Sequence, residues 1–94
     1  MPTSDSLPAT LEEALRLLAA TVPSAQQAAI AATVDEDLIH LHFGLGMWIR
    51  NTLGLWSGNS ALMRATGARS PDDASQAIIL AFRNRLRDGR PRLQ

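Results

Sequence analysis

At 94 residues, with nine arginines balancing nine acids and no cysteine, the chain has room for one domain with a single modest core. It has no disulfide framework and no thiolate metal site. A hydrophobic fraction of 46% is ordinary for a globular domain, and no apolar run reaches the roughly 18 to 20 residues of a membrane span. Zero net charge leaves no overall field to gather nucleic acid or an anionic membrane.

Residues 1–9 read as a flexible lead-in, with Pro2 and Pro8 and little apolar content. They lack the basic and apolar regions of a signal peptide, so the expected compartment is the cytoplasm. The helical domain is expected over 10–89 and a frayed tail over 90–94. Thr10-Leu11-Glu12-Glu13 is a capping box, and Leu11, Ala14, Leu15, Leu18 and Val22 follow on one helical face until Pro23. Ser24 to Gln27 forms a weaker box opening a short Ala-rich helix to about Ala32, and Thr33-Val34-Asp35-Glu36 forms a third.

The third helix is expected from about Val34 to Thr52. Leu38, Leu41, His42, Leu45, Trp48, Ile49 and Thr52 make one stripe, with Ile39, Phe43 and Met47 off it. A helix apolar on more than one side reads as central, covered by several partners. Gly44 and Gly46 each cost about 1 kcal/mol against Ala; close approach of another backbone is the expected reason, and a kink the alternative. Gly54 reads as a C-terminal cap, and Leu55 to Gly58 as a connector with a buried Trp56. Asn59 caps a short helix to Thr66 ended by Gly67. Ser70-Pro71-Asp72-Asp73 is the clearest helix start, followed by a face of Ala74, Ala77, Ile78, Ala81, Phe82 and Arg85, extended by Leu86, before Gly89 and Pro91. The fold expected is all-α: a single-domain bundle of about five helices with a buried central helix, the third and last forming the core pair.

The catalytic inventory is thin: no Cys, Tyr or Lys, no nucleophile elbow, no phosphate-binding loop and no dinucleotide fingerprint around Gly44 and Gly46. His40 and His42, two apart on a helix, point away from each other and cannot share a metal. No metal, cofactor or enzymatic activity is expected. Arg50 near the end of a buried helix needs a partner, and Asp72 or Asp73 supplies a structural bridge. In the functional alternative, Trp48, Arg50 and Asn51 present an anion or peptide-binding cluster, extended by Trp56 and Asn59. Tryptophans serve both as core and as interface hot spots. Arg83, Arg85, Arg87, Arg90 and Arg92 read as a solvated face that suits the helix dipole, with a nucleic-acid contact as the alternative.

The run His42-Phe43-Gly44-Leu45-Gly46-Met47-Trp48-Ile49-Arg50-Asn51 resembles a family of small bacterial proteins, domain-of-unknown-function family 6794. So do Gly54-Leu55-Trp56, Gly58-Asn59, Pro71-Asp72-Asp73-Ala74-Ser75 and the opening Thr10-Leu11-Glu12-Glu13-Ala14. The resemblance covers roughly Leu7 to Leu86, and departs in the Arg-rich tail and in Arg69-Ser70 before Pro71, where His is expected. It implies a bacterial stand-alone domain and supplies no activity, cofactor or site residues. The function expected is a non-enzymatic binding or adaptor domain whose partner is another protein, with no membrane contact. An immunity or antitoxin-like role beside a toxin, nucleic-acid binding through the Arg-rich end, small-molecule binding near Gly44 and Gly46, and a homodimer are the alternatives.

Overall fold

The computed structural model describes residues 8–55 and 59–88, with the side chains of His42 and Phe43 left aside. The described chain is all-α, with no strand. Helix α1 (Leu11–Thr21) and α2 (Ser24–Ala31) are followed by a 3-10 segment (Asp35–Leu41), a π segment (His42–Gly46) and α3 (Met47–Thr52). Helices α4 (Ser60–Thr66) and α5 (Pro71–Asp88) complete the fold. Residues 1–7 of the lead-in, Gly89 and the tail over 90–94 lie outside the described residues, as does Trp56 of the connector.

Local chemistry explains most ends. Thr10 Oγ1 accepts from the Glu13 N–H at 3.1 Å, while Glu13 reaches back to the N–H of Ala9 at 2.9 Å. Asn59 Oδ1 caps α4 at the Leu62 N–H, and Ser70 Oγ caps α5 at the Asp73 N–H. Helix α3 closes with Gly54 at φ 73° and the Leu55 N–H donating to the Arg50 carbonyl at 3.0 Å, the long bond of a Schellman end.

Two expected boxes do not form. Helix α2 begins at Ser24, with Pro23 at the cap position and no side-chain cap. Gln27 instead donates to the Ala19 and Val22 carbonyls at the end of α1, at 3.0 and 2.7 Å. The Thr33 hydroxyl donates backwards to the Ala29 carbonyl at 2.8 Å and so caps nothing ahead of it.

Helix α5 packs against every other helical segment. Its buried residues are Ala74, Ser75, Ile78, Ile79, Phe82 and Arg83, and the four apolar ones join Leu15 and Leu18 of α1, Ile30 of α2, Leu38, Ile49 and Leu62 in one core. The buried face is wider than the expected stripe: it takes in Ser75, Ile79 and Arg83, and leaves Arg85 exposed. The expected third helix is present as one helical stretch with three windings, and α5 packs on only one of its sides. Ile39, Met47 and Trp48 stay exposed, so this stretch is not the covered centre that its apolar residues imply. Winding explains part of the difference. In a 3-10 turn residues three apart eclipse, so Leu38 and Leu41 share the inner edge and Ile39 is turned outward.

Candidate functional site

The residues singled out in the sequence divide into internal ties and one exposed wall. Arg50 is 4% exposed. Its Nη1 donates to Ser75 Oγ at 3.0 Å, and its Nε lies 3.4 Å from Asp72 Oδ1. Of the two aspartates at the start of α5, Asp72 is thus the one that pairs; Asp73 forms no ion pair among the described residues. Ser75 Oγ in turn donates to the Asp72 carbonyl at 2.9 Å, so Arg50 fastens α3 to the first turn of α5. Asn59 is also internal: besides capping α4, its Nδ2 donates to the Pro8 and Leu53 carbonyls, each at 2.8 Å.

Gly46 belongs to this tie. A Cβ there would stand 3.1 Å from Arg50 Nη1 and 3.6 Å from Ser75 Oγ. The close neighbour expected of this glycine is a guanidinium, not the backbone of another helix. Gly44 has no such neighbour: a Cβ there would meet nothing within 4 Å. Its place in the π segment has no internal packing reason.

Gly44 opens onto a groove of about 510 Å³. His40, Leu41, Gly44, Leu45 and Trp48 line one side, and Gln26, Ala29 and Ile30 of α2 with Thr33 just beyond it line the other. Thr21, Val22 and Pro23 complete the lining. Trp48, 38% exposed, is the member of the sequence-derived set that reaches this groove. Asn51 is exposed but does not line it, and Arg50 and Asn59 are elsewhere. Trp56 lies outside the described residues. The α2 wall was missed from sequence. Its signals are the i, i+3, i+4, i+7 spacing of Gln26, Ala29, Ile30 and Thr33, and the absence of any charged side chain from Leu17 to Val34.

Of the α5 arginines, Arg83 is buried and departs from the solvated face expected of them, whereas Arg85 and Arg87 stay exposed and also bond within the chain. Arg83, 3% exposed, pairs with Asp35 and donates to the Thr33 carbonyl at 2.7 Å. Arg87 donates to the Ala31 and Thr33 carbonyls at 2.7 and 3.0 Å. Arg85 pairs with Glu12 of α1. That carboxyl is held below the ordinary glutamate range first by its hydrogen bonding to Arg85, against desolvation, with Arg16 adding to the effect. Arg90 and Arg92 lie outside the described residues. His40 stands 3.9 Å from Asp37 on one edge of the 3-10 segment, and among the described residues no group of three or more His, Asp or Glu is placed to hold a metal.

Fold and site together define a small all-α domain with a groove between two largely helical walls, lined among the described residues by no carboxylate and no guanidinium. The chain belongs to the family described as Domain of unknown function (DUF6794), whose model matches residues 7–86. No curated protein and no solved structure matches it. Among the described residues no helix is long and apolar enough to cross a membrane.

Proposed function

We propose that this chain is a non-enzymatic binding domain of the bacterial cytoplasm that acts through protein–protein contacts, and that the wall from His40 to Trp48 is its contact surface. The observation that carries this reading is Gly44 beside Trp48. A glycine within a helical stretch is unfavourable by about 1 kcal/mol relative to alanine, and here no internal neighbour requires it. Its bare backbone opens instead onto the groove, where a partner can approach closely. Trp48 on the same wall is the residue type most enriched at interface hot spots, and it is half-buried, so its orientation is set before binding. Winding supports the reading as well: π segments inside helices cluster at functional sites.

The test is to compare the proteins captured from the native host by the wild-type chain and by Trp48→Ala and Gly44→Leu, with helicity and thermal midpoint measured alongside. The expected result is loss of the same partner from both folded variants. Retention of every partner by both of them overturns the proposal.

A further inference from the structure

We infer that the groove takes an amphipathic helix of a partner protein that carries a lysine or arginine at the end meeting Asp37. This rests on the binding reading above and specifies its ligand. Three features of the site argue for it.

The first is backbone chemistry. Both walls are largely helical, so their main-chain groups are mostly bonded within the walls, and the Ala31 and Thr33 carbonyls at the end of α2 accept from Arg83 and Arg87; no strand edge exists among the described residues. An extended peptide laid in the groove would find no ladder for its own backbone groups, whereas a helix satisfies its own. A polyproline segment needs several aromatic slots, and among the described residues Trp48 alone supplies one with an indole, phenol or phenyl ring.

The second is size. From His40 to Trp48 the wall runs roughly 12 Å at about 1.5 Å per residue, which matches about two turns of a docked helix. The small residues Gly44 and Ala29 stand on opposite walls and leave room for side chains projected at i, i+3 or i+4 and i+7.

The third is charge. Among the described residues the lining contains no carboxylate and no guanidinium. At its His40 end Asp37 lies 3.9 Å from His40 Nε2, with Glu36 next to it in the chain, and both acids are exposed. Asp35 is taken by Arg83, but neither Glu36 nor Asp37 meets an arginine among the described residues. An apolar trough with an acid at one end fits an apolar helical face with a cation at one end.

The test is selection of random 14-residue peptides displayed on phage against the wild-type chain, followed by affinities of the winning synthetic peptides. The expected winners are helix-forming, with apolar residues at i, i+3 or i+4 and i+7 and a Lys or Arg beyond them. They should bind Gly44→Leu at least tenfold more weakly, and Asp37→Lys should select an acidic end instead. Winners that need Gly44 but are proline-rich, or whose end charge is indifferent to Asp37→Lys, overturn this inference and leave the binding reading standing. Winners unaffected by both Gly44→Leu and Trp48→Ala, or no enrichment at all, overturn both. Asp37 is exposed and Gly44 has open space beside it, so both variants are expected to fold.

Discussion

A guanidinium as deeply buried as that of Arg50 is held only where its charge and donors are met. Asp72 and Ser75 supply part of that, and Gly46 provides the room. The two glycines of the motif therefore answer to different physics, and alanine substitution separates them. Gly44→Ala removes a backbone-entropy cost without meeting any atom, so it should stabilise the fold by about 0.5–1 kcal/mol while weakening partner binding. Gly46→Ala gains the same term but pushes a Cβ to 3.1 Å from a pinned guanidinium, so no net stabilisation is expected. Urea unfolding of the two variants measures the difference; equal stabilisation by both would show that Arg50 is not locked. The sequence offers Arg50, Asp72 and Asp73 as a tie because buried cations need partners. It does not separate Gly44 from Gly46, since that depends on which side of the helix each faces after a π turn.

Among the elements, α5 is the one that organises the fold, and its arginines are part of the reason. Arg83 and Arg87 converge on the Ala31 and Thr33 carbonyls, where α2 ends and the 3-10 segment begins. Helix α2 has few large apolar residues, and Ile30 and Ala31 are its buried ones, so these charge-assisted bonds, rather than packing alone, fix it to α5. Hydrogen bonds to charged groups contribute about 1.5–3 kcal/mol. Arg83→Ala should therefore lower stability by about 2–3 kcal/mol, with Arg83→Met milder because it keeps much of the side-chain volume. A loss below about 0.5 kcal/mol, the range of ordinary surface changes, would contradict that role. Helix starts at Thr10, Asn59 and Ser70 were legible because a capping side chain acts within three residues. Ser24 and Thr33 fit the same pattern and failed, because Gln27 and the Thr33 hydroxyl found carbonyl partners behind them. The change from 3-10 to π winding was not legible. It is set by how Leu38 and Ile49 must both reach α5, which is a tertiary demand.

For the whole molecule, the Glu12–Arg85 pair joins the first helix to the last, and its pH dependence has a definite sign. Because the folded carboxyl titrates below the ordinary glutamate range, its contribution is fully present above the unfolded-chain value and is lost as the pH falls through the folded one. Thermal midpoints should fall with acidification across that window, and the Glu12→Gln variant should show a shallower fall; identical profiles would contradict it. The all-α class, the single domain and the pairing of the third helical stretch with the last followed from periodicity and capping. The groove did not, because the stripes over 26–33 and 40–48 face each other only when α2 and the stretch that follows it both lie on α5. Its role is tested most directly by titrating the 15N-labelled chain with the partner captured from its host and mapping the amide shifts. The prediction is that the largest changes fall at residues 26–33 and 40–48. Changes confined to α4 and the exposed face of α1, with the groove silent, would contradict it.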